Sequence, residues 1–453
     1  MSTTIAPPKR PEIKTATLPG PKGQEIVAAD AEYMTPSYPR PAWQLVVERA
    51  EGVWVKDVDG NIFLDCNAGV AVCSTGHCHP EVVAAIQEQA ARLIHMCGTD
   101  FYYRHMPDLA RKLEELVPVP GPTRTHFANS GTEAVECALK LAMHATGRQK
   151  FIAFFNSFHG RTLGSLSLTS SKVAQRRGFR RSALDVTHVP YPNTFRHPFT
   201  GEASDAETVS RAVLDWIEKR LFLTTTPPEE VAAIVIEAVQ GEGGYVPAPR
   251  EFLHGLRRIC DEHGILLIVD EVQSGMGRTG KMFACDHFDL KPDIITLAKG
   301  IASGVPMGAC VARADLMDWK PGAHASTFGG NPVAIAAALK TIELLERELV
   351  ANSAEVGAYL QDGLRRLMRK HECFGDVRGL GMMVGVEFVK DRASREPAPE
   401  LRDRVEMECY KRGLILLGCG HNTIRWSPPL ILTRENVDVA LEIFDEAVTA
   451  ACR

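Results

Sequence analysis

Four short apolar runs occupy the middle of this 453-residue chain, and stretches with helical spacing separate them. Each run is almost continuously apolar, which is typical of strands that are covered on both faces. Strands that alternate with helices in this way indicate an α/β fold with a mostly parallel, doubly wound sheet. The runs are residues 151–155, 233–236, 265–269 and 294–297, and residues 251–263 form one of the helices between them.

The pattern differs at the N-terminus. Residues 1–40 are rich in proline and lysine and predict an extended arm. Residues 52–65 predict a β-hairpin, because an Asp-Gly-Asn turn joins two segments in which apolar residues alternate with polar ones. This hairpin is short, so we expect it to pack against another part of the chain.

The pattern changes again after about residue 340. The spacing predicts a long helix over 334–369, a strand over 383–389 and a last helix with Thr433 as its N-cap. A chain of this length needs more than one core. We therefore predict an arm and hairpin (residues 1–74), a large domain (75–340) and a small C-terminal α+β domain (341–453), the hairpin packing with the small domain.

The composition excludes several classes of function. The chain is 45% hydrophobic and carries a net charge of −5, which leaves no basic surface for nucleic acid. No stretch approaches the ~20 apolar residues that a membrane span needs. The 12 cysteines lack paired spacing and the first residues lack an apolar leader, so we expect a cytoplasmic protein with reduced thiols.

A small group of cysteine and histidine residues directly precedes Pro80. A zinc site needs a second ligand pair at a defined distance, and none is evident. Proline favours the first position of a helix, and residues 80–95 have helical spacing. We interpret the group as a helix-entry turn and expect no metal ion in the functional site. Its members are Cys73, His77, Cys78 and His79.

Two ionisable residues lie at the ends of apolar runs. Asp270 follows the run 265–269, and Lys299 follows the run 294–297 next to a glycine-rich turn. A lysine can hold the aldehyde of pyridoxal phosphate as a Schiff base, and an aspartate can keep the ring nitrogen protonated, so that the ring acts as an electron sink. A lone lysine after a strand is more often an ordinary surface residue. Further segments, however, supply the remaining parts of such a site.

Two of these segments suit the phosphate and the ring. Ser130, Gly131 and Thr132 open a helix, and the backbone N–H groups at a helix start favour a phosphate. Phe158 follows a strand and could lie on a cofactor ring, with His159 beside it. Each signal alone is weak, because Ser-Gly-Thr is a common cap and a core phenylalanine next to a turn histidine is equally ordinary.

Three charged residues and one threonine are candidates for the other parts of the site. Glu237 ends an apolar strand, where an unpaired charge would be costly, and Arg425 is a plausible partner. Arg161 could clamp a carboxylate, although an exposed loop arginine commonly has no such role. Thr327 precedes Phe-Gly-Gly and could donate to a phosphate that the glycines allow to approach.

The combination of these segments resembles the class III (ω-amino-acid) aminotransferases, which are pyridoxal phosphate enzymes of fold type I. The resemblance runs from about residue 40 to the C-terminus. It implies a mostly parallel, seven-stranded type of sheet with helices on both faces, plus a smaller α+β domain. The matching segments are Ser130–Ala134, Phe158–Thr162, Asp270–Gly275, Lys299 and Thr327–Pro332.

The resemblance also implies roles for cofactor-binding residues. Lys299 carries the Schiff base of pyridoxal 5'-phosphate, Asp270 pairs with the ring nitrogen, and Gln273 reaches the ring hydroxyl. Gly131 and Thr132 hold the phosphate. By the same resemblance Phe158 stacks on the ring. Thr327 reaches the phosphate of a neighbouring subunit, which implies a homodimer or a dimer of dimers.

The substrate residues follow from the same source. Arg425 matches the arginine that grips the α-carboxylate of glutamate or 2-oxoglutarate, and Glu237 matches the glutamate that pairs with it. Arg161 matches an arginine that takes the distal carboxylate of 4-aminobutyrate. The family usually has proline after this glutamate, and Ala238 stands there instead, which leaves the aim of Glu237 less constrained. Val70 could shape the substrate pocket.

The prediction is therefore a ping-pong transaminase that moves an amino group from an ω-amino acid to 2-oxoglutarate. We favour 4-aminobutyrate as the donor, with ornithine or N-acetylornithine next. The segments Thr99–Tyr103 and Gly241–Val246 also resemble a branch with broad-specificity amino-acid racemases, and the residues named so far do not separate the two. A nicotinamide dehydrogenase lacks support, because no Gly-x-Gly-x-x-Gly joins a first strand to its helix.

Overall fold

The structure is a computed structural model that describes residues 8–179 and 184–453. Most helices and strands that the spacing predicts are present within a few residues of their expected bounds. The α-helices are Pro21–Tyr33 (α1), Ala68–Ala71 (α2), Pro80–Arg92 (α3), His105–Leu116 (α4), Gly131–Thr146 (α5), Leu163–Leu168 (α6), Val173–Arg176 (α7), Ala206–Trp216 (α8), Phe222–Thr224 (α9), Arg250–His263 (α10), Cys285–Phe288 (α11), Pro332–Leu344 (α12), Val350–Lys370 (α13), Pro399–Lys411 (α14) and Arg434–Ala451 (α15).

The strands are distributed over the whole described chain. Short 3₁₀ and π-helical turns complete the regular structure. The strands are Val47–Glu51 (β1), Trp54–Asp57 (β2), Ile62–Asp65 (β3), Thr123–Ala128 (β4), Lys150–Phe154 (β5), Asp185–Val189 (β6), Val231–Ile236 (β7), Val239–Gln240 (β8), Val246–Pro247 (β9), Leu266–Asp270 (β10), Ile294–Leu297 (β11), Gly308–Arg313 (β12), Phe374–Leu380 (β13), Met383–Phe388 (β14), Leu414–Ile415 (β15), Leu417–Cys419 (β16) and Thr423–Trp426 (β17).

A seven-stranded sheet forms the centre of the molecule, in the order β4-β12-β11-β10-β7-β5-β6. Neighbours from β11 to β6 are parallel, and β12 is antiparallel to both of its neighbours. The four apolar runs that the sequence singles out are β5, β7, β10 and β11. The predicted α/β fold with a mostly parallel sheet is confirmed.

Both faces of this sheet are buried, and β7 illustrates how. Ile234 and Ile236 belong to one apolar core, and Ala233 and Val235 belong to another. Alternate side chains of a strand point to opposite faces, so a strand between two cores must be apolar at every position. α5 packs on one face, where it contributes Leu139 to the core, and α10 contributes to the core on the other face.

Two smaller sheets lie outside the central one. The predicted hairpin is present as β2 and β3, and β15 from near the C-terminus adds to it in parallel, in the order β1-β2-β3-β15. The other sheet has the order β13-β14-β17-β16. Strand pairing therefore joins the N-terminal hairpin to the C-terminal part, while the domain boundaries at residues 75 and 341 stay predictions.

The N-terminal arm differs from the sequence prediction. Its first residues, 1–7, lie outside the described part, but residues 21–33 form helix α1 rather than an extended segment. Pro21 at the first helical position favours this start. The N–H groups of Lys22 and Gly23 donate to the carboxylate of Asp59, in the hairpin turn, at 3.0 and 2.9 Å. This contact between distant residues anchors the helix, and local composition could not reveal it.

The cysteine and histidine group forms the predicted helix-entry turn. His79 is the N-cap of α3, and its ring nitrogen accepts from the N–H of Glu81 at 3.3 Å. His77 turns away and bonds to Asp65 at 2.7 Å. Among the described residues, no helix is both long enough and apolar enough to cross a membrane.

Packing between α10 and the sheet should dominate the stability of the large core. Phe252 is fully buried and contacts Phe154 edge to face, with ring centroids 5.8 Å apart. We expect Phe252→Ala to lower the free energy of unfolding by about 3–5 kcal/mol, because it removes a buried ring and leaves a cavity. Urea unfolding measures this loss. Leu223→Ala, at an exposed position of α9, is the control and should change it by less than ~0.5 kcal/mol.

Candidate active site

The carboxyl ends of the parallel strands open into a cavity of about 470 Å³. β10 ends at Asp270, Glu237 follows β7, and Lys299 stands two residues beyond β11. Parallel strands end at a common edge of the sheet, which is where ligands bind in such folds. Of the residues predicted from the sequence, the cavity wall contains Ser130, Gly131, Thr132, Phe158, His159, Arg161, Glu237, Asp270, Gln273 and Lys299.

Lys299 opens a short 3₁₀ turn and has a positive φ of 47°. A residue with a side chain rarely adopts this conformation, and such strain tends to occur at functional positions. Burial lowers the pKa of the Lys299 amine, although Asp270 partly opposes the effect. A buried amine with a lowered pKa is neutral more often, which makes it a better nucleophile and base.

Asp270 is buried, and three donors satisfy its carboxylate. The imidazole of His159 bonds to Oδ2 at 2.7 Å, while Thr296 Oγ1 and the N–H of Val272 donate to Oδ1 at 3.1 and 3.0 Å. Burial alone would lower the pKa of His159, but the hydrogen bond to Asp270 raises it above the ordinary value. A cationic imidazole can thus stabilise the buried aspartate charge.

Glu237 has no ionic partner at hydrogen-bond distance among the described residues. Its carboxylate instead accepts from the backbone N–H groups of Phe158, at 3.2 Å, and Gly241, at 3.0 Å. Burial raises the pKa of Glu237 to about 7, against a smaller opposing effect from His159. The site therefore contains a carboxyl group that can exchange protons near neutral pH.

The predicted pairing of Glu237 with Arg425 is wrong in this structure. Arg425, on β17, bonds to Glu242, whose second oxygen lies 3.4 Å from Nζ of Lys172. Burial opposes ionisation of Glu242, but Arg425 and Lys172 nevertheless lower its pKa. The reason is geometric, because backbone donors already occupy the oxygens of Glu237. Glu242 lies on the cavity wall and separates Arg425 from it.

The N-terminus of α5 forms one end of the cavity. Ser130 is the N-cap, and its hydroxyl accepts from the N–H of Glu133 at 3.3 Å. Thr132 Oγ1 lies 2.6 Å from the hydroxyl of Ser165. A Cβ at Gly131 would come within 2.8 Å of Val272, so glycine keeps the helix start open. Backbone N–H groups at this helix start can donate to a phosphate.

The mouth of the cavity contains Phe158 and Arg161. The guanidinium of Arg161 lies over the Phe158 ring, 5.8 Å from its centroid, in a cation–π contact. Arg161 is exposed, so its charge can meet an arriving carboxylate.

Besides Arg425, two predicted residues lie outside the cavity wall. Thr327 is exposed in the loop before α12, and its predicted role in a neighbouring subunit stays a prediction. Val70 is not on the wall described for this chain, whereas Val72 is. Val70 belongs to a run of residues with positive φ, which turns the backbone here. The sequence alone could not show that Val72, rather than Val70, lies on the cavity wall.

Sequence reasoning also missed several other wall residues. Glu242 stands in the segment Gly241–Val246, but nothing in the sequence of that segment indicates an ionic role. The others line the wall chiefly with backbone and apolar atoms. For the segment that follows Lys299, its position in the chain was the one sequence signal. They are Asn129, Val272 and the segment Gly304–Met307.

Comparison with known proteins agrees with this geometry. The sequence pattern of the class-III aminotransferases matches residues 36–448. The chain is 38% identical to the alanine/serine racemase of Pyrococcus horikoshii over 95% of this chain and 91% of that protein. It is 39% identical to the 4-aminobutyrate aminotransferase of Escherichia coli over 89% of this chain and 94% of that protein.

Solved structures give the same result. The ω-transaminase from Pseudomonas jessenii, in complex with PMP, superposes with a TM-score of 0.87 at 29% identity, covering 94% of this chain and 97% of that chain. The chain belongs to the class III aminotransferases and is a pyridoxal-phosphate-dependent transaminase.

The described residues fit this cofactor. Oε1 of Gln273 and Nε2 of His159 are buried and have no hydrogen-bond partner among the residues described, although buried polar atoms are nearly always paired. The unpaired Gln273 oxygen lies on the cavity wall, where a ring hydroxyl could donate to it. The open helix start at Gly131 suits the phosphate, and Asp270 supplies a fixed negative charge.

The raised pKa of Glu237 predicts a pH-dependent stability. Between its ordinary value of 4.5 and the folded value of about 7, the folded protein binds more protons than the unfolded chain. The free energy of unfolding should therefore fall as pH rises through this window, by up to about 3 kcal/mol. Glu237→Gln removes the titrating group, so its stability should decline less from pH 4.5 to 7.5.

Urea unfolding of the cofactor-loaded proteins across this pH range measures the difference. Glu25→Gln, at an exposed position of α1, is the control and should follow the wild-type profile. If the Glu237→Gln profile runs parallel to that of the wild type, the assignment of a proton to buried Glu237 is wrong.

Proposed function

We propose that the protein transfers the amino group of an ω-amino acid to 2-oxoglutarate by a ping-pong mechanism. 4-Aminobutyrate is the favoured donor, with ornithine or N-acetylornithine next. The observation that carries the proposal is the ion pair of Arg425 with Glu242 beside the cavity. A buried arginine that a wall carboxylate neutralises can serve one substrate with an α-carboxylate and another without it.

The cofactor would be held by residues already in place. Asp270 and Gln273 would hold the ring, and Gly131 and Thr132 the phosphate. When bound, pyridoxal phosphate supplies an electron-withdrawing ring that makes the proton on the neighbouring substrate carbon easier to remove. The fixed charge of Asp270, with its three donors, favours a proton on the ring nitrogen.

Lys299 would move the proton. Its amine is buried, its pKa is lowered, and it lies on the same wall as Asp270. A neutral Nζ can accept a proton from the substrate carbon and give it up again at a second position, acting as base and then as acid. Burial of the wall keeps bulk water from competing for that proton.

Arg161 would select the donor. Its guanidinium is exposed at the cavity mouth and is oriented by the Phe158 ring. An ω-amino acid that presents its amine to Lys299 has its carboxylate at the far end, where Arg161 could bind it through paired hydrogen bonds. We also propose that the protein acts in the cytoplasm as a homodimer or a dimer of dimers, with exposed Thr327 serving the neighbouring site.

Glu242 would control the acceptor half-reaction. While it pairs with Arg425, that guanidinium is not available to an α-carboxylate. 2-Oxoglutarate must displace Glu242, and Lys172, 3.4 Å from its second oxygen, can keep the displaced carboxylate paired. Lys172 is half exposed and can follow this movement.

We expect Glu242→Gln to favour substrates with an α-carboxylate. The substitution leaves Arg425 without its counter-charge, so the KM for 2-oxoglutarate should fall relative to that for the ω-amino donor, by about ten-fold or more. Glu237→Gln is the matched control, since it changes a wall glutamate that does not touch Arg425. Steady-state kinetics with each substrate varied gives the ratio. A larger change of the KM ratio in Glu237→Gln than in Glu242→Gln would mean that Glu237 is the partner of Arg425, as predicted from the sequence.

A second candidate function is amino-acid racemisation. It is favoured by the relative from Pyrococcus horikoshii, whose name is alanine/serine racemase. A racemase returns the proton to the opposite face of the α-carbon, and this needs an acid near neutral pH. Glu237, with a pKa of about 7 on the cavity wall, is the candidate for this acid, with Lys299 serving the other face.

One experiment separates the two functions. The cofactor-loaded enzyme is mixed in heavy water with 4-aminobutyrate, L-ornithine or L-leucine, without any keto acid. For the proposed transaminase, the absorbance of the bound cofactor decreases with an ω-amino donor, and the fastest donor is the best substrate. If the absorbance persists while L-leucine gains deuterium and D-leucine appears, the protein is a racemase and the proposed transfer is wrong.

A further inference from the structure

A cluster of sulfur and nitrogen atoms lies outside the cavity, on the α5 side of the central sheet. His126 of β4 and Cys310 of β12 are directly opposed in the antiparallel pair. Cys137 of α5 and His324 of the loop between β12 and α12 complete the cluster. None of the four lies on the wall of the active-site cavity.

The cluster is compact. One ligand atom from each of His126, Cys137 and His324 lies within 4.8 Å of the other two. The imidazole rings of His126 and His324 are 4.6 Å apart between centroids. Cys137 is buried, and its thiol interacts with the side chains of both His324 and the buried Cys310. The consecutive elements β4 and α5 and the distant loop before α12 thus direct nitrogen and sulfur ligands to one point.

We propose that His126, Cys137 and His324 bind a zinc ion, with Cys310 or a water molecule in the fourth position. Two imidazoles and a thiolate form the nitrogen and sulfur set that zinc prefers. Ligand atoms at about 2.0–2.3 Å from a tetrahedral zinc are roughly 3.3–3.8 Å from one another. The observed spacing requires only a small inward movement, which the loop that carries His324 can make.

The ammonium of Lys140 competes with a zinc ion for His324, and this gives the proposal a specific consequence. Its Nζ lies 2.9 Å from Nδ1 of His324 and also donates to the carbonyl of Ala323 at 3.0 Å. A zinc-bound His324 uses Nδ1 as the ligand or carries its proton there. In either case Nδ1 can no longer accept from Lys140, so the ammonium must leave the ring and retain the carbonyl alone.

The site would connect the loop of His324 to the main sheet. Ser326 stands two residues further along, and its hydroxyl accepts from Nδ2 of Asn129 at 3.1 Å. Asn129 lies on the active-site cavity wall. A zinc ion at His324 would therefore fix a loop that reaches the cavity and carries exposed Thr327. The role is structural, and it does not depend on which amino donor the enzyme uses.

Cobalt provides the test, because the ligand-field bands of a tetrahedral Co²⁺ site lie in the red part of the visible spectrum, where the yellow cofactor does not absorb. The tag-free, cofactor-loaded protein is treated with a chelator, kept reduced and titrated with Co²⁺. We expect one equivalent to give the ligand-field bands of a tetrahedral site and, in the difference spectrum against the metal-free enzyme, a thiolate charge-transfer band. Zn²⁺ should then abolish both.

Variants identify the ligands. Cys137→Ser should lose the charge-transfer band, and His324→Gln, in the loop, should weaken binding by more than about ten-fold without risk to the core. Lys140→Met should tighten binding by about two- to five-fold, because it removes a competing positive charge. Cys452→Ser is the control, since Sγ of Cys452 lies 3.6 Å from Sγ of Cys373 and this pair could bind metal adventitiously.

Three results would overturn the proposal: no tetrahedral spectrum at one equivalent in the wild type, an unchanged spectrum in both Cys137→Ser and His324→Gln, or loss of the spectrum in Cys452→Ser. Circular dichroism of each variant establishes that it is folded. The zinc content of the untreated protein, measured by elemental analysis, should decrease in the same variants that lose the cobalt spectrum.

Discussion

A buried carboxylate at the end of β10 is the interaction on which the rest of the site depends. Asp270 is removed from water, where an ion without partners would be costly. Its three donors come from three places: His159 after β5, Thr296 within β11, and the N–H of Val272 in the turn after β10. The charge can be buried only when these strands occupy their observed positions. The order of the strands therefore determines whether the charge of Asp270 can be stabilised in the site.

The remaining charges divide into two kinds. Asp270 and Glu242 have strong donors or cationic partners, which hold their charge fixed. Lys299 and Glu237 are buried without a charged partner at hydrogen-bond distance among the described residues, so burial moves the pKa of each towards neutrality. Groups of the first kind can orient ligands, and groups of the second kind can exchange protons. Proton transfer and binding are thus assigned to different residues by their surroundings.

The sequence was most informative where a local pattern determined the structure. A strand with a core on each face must be apolar at every position, so β7 and β10 were predictable, and their ends located Glu237 and Asp270. Contacts between distant segments were not predictable. The pairing of Arg425 with Glu242 depends on how β17 meets the loop after β8, and helix α1 depends on Asp59 in the hairpin turn. Neither position differs from its neighbours in spacing or composition.

The choice of partner for Arg425 follows from backbone geometry. Two N–H groups bind the oxygens of Glu237 and hold that carboxylate under the loop of Phe158. Glu242 lies one residue beyond Gly241, in the loop after β8, and can reach both Arg425 and Lys172. This leaves Glu237 able to hold a proton, while in the proposed mechanism Glu242 admits or excludes an α-carboxylate. Proton exchange at Glu237 and substrate choice at Glu242 would then be separate properties of one segment, so a change in one need not alter the other.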